Sequence, residues 1–240
     1  MPFLIVSDIH ANREALEAVL ADARGQYKQI VCLGDLAGYG ADPNFTVDWA
    51  RANVSAIVRG NHDKLCAGLE SLYSYRPAAR TAAEWTVNTL TAENRDYLER
   101  LPRGPLPYEG FDLVHGSPLD EDEYLVTTED VAIIRKEIET SLCFFGHTHL
   151  QGGFLIVRNH VKPIDRHRVL ELDRDYMYLV NPGSVGQPRD GDPQAAYAIY
   201  HPKERLIEFK RVAYDTAAAA EKIRAAGLPD SLASRLLTGV

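Results

Sequence analysis

Phe3-Leu4-Ile5-Val6-Ser7-Asp8-Ile9-His10 decides how the rest of the chain is read. Four apolar residues in a row, two of them β-branched, describe a short strand buried on both faces. An acid and a histidine follow at once at its carboxyl end, where open α/β sheets gather their functional loops. The run has no basic flank and meets an acid too soon for a secretory signal, and no apolar stretch is long enough to span a bilayer. A cytoplasmic protein without membrane contact is therefore expected.

Working outward, the same unit recurs. Leu16, Val19, Leu20 and Ala23 repeat at helical spacing, with Asn12 placed to cap them. Residues 29–33 form the next strand and run into Gly34-Asp35. Asp42 and Pro43 read as cap and first turn of a helix whose inner face is Phe45, Trp49 and Ala50. A third strand at residues 54–58 leads to Gly60-Asn61-His62-Asp63. Residues 64–101 then turn helical, broken at Pro77, and read as an inserted layer carrying Ala82, Trp85, Leu90, Tyr97, Leu98 and Leu101. Strands at 111–114 and 142–145 precede His115-Gly116 and Gly146-His147-Thr148-His149, separated by a helix behind Thr128 with Val131, Ile134 and Ile138 on one face. Past residue 150 the texture is β, at 153–157, 177–180, 196–200 and 206–212, which predicts a second sheet. Helices at about 215–238 close the chain, Asp215 and Asp230 being the expected caps.

The 240 residues are 45% apolar and 25% charged, which is ordinary globular usage and long enough for a single domain over 1–240. Cys32, Cys66 and Cys143 are too few for a disulfide framework and read as buried thiols. A formal charge of -8 opposes attraction to long nucleic acid or anionic lipid. An anionic substrate would need positive charge supplied locally. Nothing in the sequence gives the oligomeric state.

Five strand ends thus carry groups able to bind metal, and five of the eight histidines lie in them. Asp8 and His10 are two apart, as are His147 and His149, so in extended backbone each pair projects from one side and can chelate. Glycines 34, 60, 116 and 146 fit crowded turns where backbone approaches a ligand. A lone histidine in such a place is usually a hydrogen-bonded structural residue, but the joint pattern points to one shared site. His160, His167 and His201 stand in turn-like or polar surroundings and read as surface residues.

D-x-H, G-D, G-N-H-D, H-G and G-H-T-H in this order resemble the calcineurin-like metallophosphoesterase superfamily, and Asn181-Pro182-Gly183-Ser184-Val185 is similar to a loop of its small bacterial phosphodiesterase branch. The resemblance covers roughly residues 3–200 and leaves the C-terminal helices outside. It implies an α/β fold of two packed mixed sheets flanked by helices, in four layers. It also implies a dinuclear centre in which Asp8, His10, Asp35 and His149 hold one divalent ion. Asn61, His115, His147 and the shared Asp35 hold the other. Mixed imidazole and oxygen ligands suit Mn, Fe, Co, Ni or Zn better than Ca or Mg. Two such ions outweigh two carboxylates, which makes a cationic pocket for phosphate and an activated water in an acidic protein.

The resemblance makes His62 a proton or hydrogen-bond donor to the leaving or phosphoryl oxygen. Asp63 either holds the His62 imidazole or is simply a carboxylate at a helix N-terminus. Arg59 and Arg189 are candidates to touch substrate phosphate, against the plainer reading of solvated charges. Tyr39 lines the pocket or packs its own loop. The expected activity is hydrolysis of a phosphodiester or phosphomonoester on a small substrate, nucleotides included. Gly34-Asp35-Leu36-Ala37-Gly38-Tyr39-Gly40 lacks the second Asp and the Arg of G-D-x-x-D-R-G, which disfavours a serine/threonine protein phosphatase. The rival reading from another class is a non-catalytic scaffold that keeps the fold for protein contacts, as the retromer subunit of this superfamily does. Residues 64–101, adjoining Asn61-His62-Asp63, either select substrate or serve as structural cover.

Overall fold

The computed structural model describes residues 1–158, 160–164 and 169–240. Two six-stranded sheets pack face to face. In the first, β1 (Phe3–Val6), β2 (Gln29–Cys32) and β3 (Ala56–Ile57) run parallel, and β11 (Ala195–His201), β12 (Leu206–Val212) and β9 (Val169–Glu171) continue antiparallel, giving the order β3-β2-β1-β11-β12-β9. The second has the order β4-β5-β6-β10-β7-β8. Its strands are β4 (Leu106–Tyr108), β5 (Phe111–Leu113), β6 (Leu142–Phe144), β10 (Met177–Asn181), β7 (Gly152–Val157) and β8 (His160–Pro163). Here β5, β6 and β10 are the parallel neighbours.

Alternation along β1 explains the layering. Phe3 and Ile5 face the second sheet and share a core with Val31, Leu33, Phe111, Phe144 and Tyr200. Phe111 stands edge-on to both Phe3 and Phe144 at 5.3 Å, the favoured geometry for aromatic pairs. Leu4 and Val6 face the other way, under α1 (Arg13–Asp22), α2 (Pro43–Asn53), α3 (Asn61–Ala67) and α5 (Ala92–Glu99). On the far side Phe145, Phe154 and Leu179 pack beneath Val131 and Ile134 of α6 (Thr128–Ile134). The result is the expected four-layer α/β fold of two mixed sheets flanked by helices. Sheets covered on both faces are what gives β1 and β6 their unbroken apolar runs.

The helical layer begins at Asn61, three residues earlier than its sequence texture suggests, and continues through α4 (Pro77–Thr89) to α5. Pro77 opens α4, as a residue without an N–H can. At the chain end, α7 (Thr216–Ala225) and α8 (Asp230–Leu236) bury Ala219, Ile223, Leu232 and Leu236 beside Ala82, Trp85 and Tyr39. Lys222 ties α7 to the first layer through Glu14 at 2.5 Å and Asp42 at 2.8 Å.

Several local expectations change. Asp42 makes no capping bond, because its carboxylate goes to Lys222 instead. Thr127, not Thr128, caps α6, in a reciprocal box with Asp130, and Ile138 lies beyond the helix end. Asp230 is the first residue of α8 rather than its cap. Asn12 and Asp215 cap α1 and α7 as expected. Strands β4, β8 and β9 lack a sequence signal because they are short and largely exposed. His160 opens β8 in an exposed position, His201 pairs with Glu208 at 2.8 Å, and His167 lies outside the described residues. All three cysteines are free and buried. Among the described residues no helix is long and apolar enough to cross a membrane.

Candidate metal centre

The parallel strands of both sheets deliver their carboxyl ends to one edge. Asp8 and His10 follow β1, Asp35 follows β2, and Asn61 starts α3 after β3; His115 follows β5, while His147 and His149 follow β6. All seven side chains are 0% to 6% exposed. Ligand atoms of Asp8, His10, Asp35 and His149 lie within 4.8 Å of one another, and so do those of Asp35, His115 and His147. The two groups share Asp35. Asn61 joins the second, its Oδ1 3.1 Å from His115 Nε2.

Backbone carbonyls fix how the rings face. Nδ1 of His10 donates to Ala37 O at 3.1 Å, Nδ1 of His115 to Leu33 O at 2.7 Å, and Nδ1 of His149 to Gln187 O at 2.5 Å. A carbonyl only accepts, so these nitrogens carry the proton and each Nε2 is turned inward. His147 is reversed, with Nε2 donating to Asp122 O at 3.2 Å and Nδ1 left free. Consequently Nε2 of His10 and Nε2 of His149 confront each other at 3.1 Å. Asp35 Oδ2 sits 3.5 Å from His10 Nε2 and 3.4 Å from His115 Nε2, and Asp8 Oδ1 is 3.3 Å from His149 Nε2. Asp8 Oδ2 is buried without any hydrogen-bond donor. An orphaned carboxylate oxygen and two opposed nitrogen lone pairs are costly unless a cation lies among them. Ring nitrogens held by second partners in this way are also how proteins orient metal-binding imidazoles, so the residues fit divalent transition metals.

Burial keeps His10 well toward the neutral, ligating form and lowers His149 in the same direction, and with the neighbouring His115 it lowers His147 to about 3. For His115 burial acts in the same direction, but Asp35 overrides it and raises this ring to about 10. Burial likewise opposes ionisation of Asp8 and Asp35, yet the facing His149 and His115 hold both carboxyls below their usual range. A cluster of ionised acids and mostly neutral imidazoles is the state in which protein binds cations.

The convergence is not achieved as expected. Asp8, His10, Asp35, His147 and His149 have φ of 53°, 48°, 56°, 64° and 60°, so these pairs do not project from extended backbone. The strands end first, at Val6 and Phe144, and left-handed turns then aim each ligand. Such conformations cost non-glycine residues energy, and clustered strain of this kind marks functional sites.

Asp63 is the residue that holds the turns. Its carboxylate accepts from the backbone N–H of Asp35 and Leu36 at 2.8 Å, Gly60 at 3.1 Å and Ala37 at 3.3 Å. It therefore does not orient His62; the alternative, a carboxylate at a helix N-terminus, describes it. Burial and Asp35 push its pKa up, to about 7, against the pull of those donors. Gly60 is required here, because a β-carbon at that position would lie 2.1 Å from Asp35 Oδ1.

His62 is 3% exposed, packed against Tyr39 at 4.3 Å, His10 at 5.0 Å and Tyr75 at 5.7 Å between ring centres. Its Nδ1 is buried without a partner, and burial lowers the ring to about 4. Arg59 does not reach this pocket, because Glu121 takes its guanidinium through two nitrogens, the shorter contact being 2.8 Å. Arg189 does lie at the site: its N–H meets His149 O at 3.4 Å and its guanidinium stands over Tyr39, 5.7 Å from the ring centre. Tyr39 both lines the pocket and packs, 4.6 Å from the His10 ring.

The Asn181 loop braces two ligand turns at once. Asn181 Nδ2 donates to Gly146 O at 2.8 Å and Thr148 Oγ1 at 3.0 Å, while Ser184 Oγ donates to Asp8 O at 2.8 Å. Sequence reasoning missed Gln187, Tyr75, Tyr124 and Arg235. Gln187 lies only two residues past the recognised loop, which is the one signal available. Tyr75, from the helical insertion, shares a hydrogen bond with Asn61 at 3.3 Å, and the Tyr124 ring lies tilted against His147, 3.8 Å between ring centres. Neither tyrosine belongs to any spaced motif.

A two-sheet sandwich with buried His and Asp groups gathered at one edge defines the class, a metallophosphoesterase fold. The profile of the calcineurin-like phosphoesterase superfamily domain matches residues 1–205, and the chain belongs to that superfamily. It is similar to a metallophosphoesterase from Sphaerobacter thermophilus, at 42% identity and a TM-score of 0.88 over 100% of this chain and 99% of the other. An uncharacterised protein of Methanocaldococcus jannaschii is 37% identical over 98% of this chain and 97% of its own. A hypothetical protein from Pyrococcus horikoshii shares the fold at 20% identity, TM-score 0.80, covering 100% and 98% of the two chains.

Proposed function

We propose that the chain is a phosphoester hydrolase that binds two divalent transition-metal ions, of Mn, Fe, Co, Ni or Zn, one on Asp8, His10, Asp35 and His149 and one on Asp35, Asn61, His115 and His147. The observation that carries this reading is the 3.1 Å approach of two Nε2 atoms whose rings have each committed Nδ1 to a carbonyl. When bound, such ions neutralise charge on phosphoryl oxygens and lower the pKa of water. The protein's own part is to fix the ligands by carbonyl and carboxylate contacts before substrate arrives, so that little reorganisation is left to the reaction.

His62 stands beside His10 and is not needed as a ligand. A phosphate ester brought next to it provides the negative charge and the acceptor that favour a protonated ring, against the lowering by burial. It then gives a hydrogen bond or proton to the leaving oxygen. Arg189 adds positive charge at the same mouth. The substrate class is a small phosphorylated molecule, nucleotides among them, as a diester or monoester.

The test is hydrolysis of bis-p-nitrophenyl phosphate and p-nitrophenyl phosphate by protein stripped of metal and restored with Mn, Ni, Zn or Mg. Turnover should vanish on stripping and return with a transition metal. If fully loaded protein hydrolyses neither ester nor a panel of nucleotides, the hydrolase reading fails.

A further inference from the structure

Arg189 and Arg235 meet at the rim of the metal edge, from separate segments of the C-terminal part of the chain. Arg189 follows the Asn181 loop, and Arg235 comes from α8, beyond the residues matched by the family profile. Both guanidinium groups approach the same ring, their central carbons 5.7 Å and 6.0 Å from the centre of Tyr39. Both donate to the same acceptor, Gln187 Oε1, at 2.9 Å and 3.2 Å. The Nε of each is buried and has no acceptor. Among the described residues neither arginine forms an ion pair with a carboxylate, whereas Arg59, Arg211 and Arg224 each do.

Two like charges sharing one neutral acceptor repel, and two buried N–H donors without partners add a desolvation cost. Burial, Arg189 and the nearby Arg76 accordingly lower the Arg235 pKa from the ordinary guanidinium range, although arginine stays charged throughout the working pH. The fold nevertheless holds this arrangement firmly. Leu232, Ala233 and Leu236 anchor α8 in the apolar cluster beneath, and Gly239 N–H and C=O contacts close its end. Tyr39 connects the pair directly to the metal edge, since its ring also lies against His10 and His62.

We infer that Arg189 and Arg235 form a second anion subsite, built by the C-terminal helix, that takes a further phosphate group of a substrate whose reacting phosphate lies at the metals. The inference rests on the proposed hydrolase reading and narrows its substrates to compounds with at least two phosphate groups close together, such as nucleoside polyphosphates. Planar guanidinium forks that carry full charge with no carboxylate partner are suited to phosphate oxygens in a way a lysine is not. A monophosphate ester reaches the metals without meeting Arg235.

The experiment compares binding of methylenebisphosphonate and methylphosphonate, neither of which can be hydrolysed, to metal-loaded protein at fixed free metal concentration. Wild type should prefer the bisphosphonate. Arg235→Ala should weaken bisphosphonate about tenfold or more and methylphosphonate less than about twofold, as expected for loss of one charged hydrogen-bonding partner. Arg235→Gln, which keeps most of the packing stem, should behave like the alanine variant if charge is the cause, and metal content of both variants serves as the control for folding. An equal loss for the two phosphonates, full affinity retained by Arg235→Gln, or no wild-type preference overturns the subsite. Because binding needs no turnover, an inactive protein that still shows the preference refutes the hydrolase reading and leaves the subsite standing.

Discussion

Asp35→Asn is the most informative single change, because one carboxylate serves both ligand groups. Its two oxygens have distinct jobs. Oδ1 accepts the His62 backbone N–H at 2.8 Å, and Oδ2 faces His10 and His115 at 3.5 Å and 3.4 Å. An asparagine must keep its oxygen toward the N–H, since its amino group there would meet another donor. The NH₂ then occupies the position of Oδ2, where a ligand oxygen is needed, and the negative charge is gone. Even partners one step removed from a metal are worth about tenfold to a hundredfold in affinity, so a shared ligand should cost each ion about a hundredfold or more, roughly 2.7 kcal/mol. Metal counted by mass spectrometry after gel filtration should fall for both sites together, and turnover of bis-p-nitrophenyl phosphate should fall with it. In metal-free protein the substitution removes the charge that raises His115, so that ring should titrate well below about 10 when followed by NMR. Two ions bound at wild-type affinity in the variant would refute the shared-ligand argument. A His115 titration unaffected by the substitution would refute the electrostatic part alone.

His62→Asn should keep both metals and lose about a hundredfold to ten-thousandfold in turnover on esters with poor leaving groups, with a smaller loss on activated aryl esters; equal rates on both classes would remove its role. Metal-free protein should be most stable near pH 6 to 7, as read by thermal melts across pH. Below the ordinary histidine pKa of 6.5 the unfolded chain takes up protons that His62, at about 4, and His147, at about 3, refuse in the folded state, so stability falls with acid. His115 works oppositely, its contribution being present below 6.5 and lost as pH rises through about 10. A metal-free melting profile flat from pH 4 to 9 would contradict both. Arg59→Ala should leave metal content and KM unchanged within about twofold while lowering stability by about 1 kcal/mol through loss of the Glu121 pair, and a rise in KM alone would restore it as a substrate contact.

What the sequence made legible follows from where its information is concentrated. Strands buried on both faces announce themselves as apolar runs, so β1, β2 and β6 could be read together with the polar residues after them. The cluster of candidate ligands was legible for the same reason, since its motifs sit directly behind strand-like runs. The φ values above 45° at Asp8, His10, Asp35, His147 and His149 were not, because residue spacing says nothing about handed turns forced by long-range contacts. Those contacts are the four N–H groups gathered by Asp63 and the bonds from Asn181 and Ser184. Arg59 was misplaced because alternation along β3 predicts a side, but not that Glu121, 62 positions later, occupies that side. Arg235 had no signal, since an arginine near the end of an amphipathic helix looks like any solvated charge.

The same features are what the proposed hydrolase reading accounts for and a scaffold reading does not require. A scaffold needs its sheets and its outer faces, and the aromatic core around Phe111 meets that need without help from the metal edge. Left-handed turns at five ligand residues, a buried Asp8 oxygen with no donor and a His62 nitrogen with no acceptor all weaken the fold without contributing to packing. Mutation without a requirement for function removes such costs readily, because any substitution that relaxes them stabilises the chain. Arg189 and Arg235 extend the reasoning beyond the metals: their shared placement over Tyr39 costs stability as well, and it is returned only when an anion arrives. Replacing Asp8 by Asn should destroy metal uptake and also lower the melting temperature of the metal-free protein, since the contact with His149 that holds this carboxyl below its usual range is lost together with the ligand. A variant that melts higher without metal than wild type does would show that His149 does not compensate the Asp8 charge, and that its burial is borne for the metal alone.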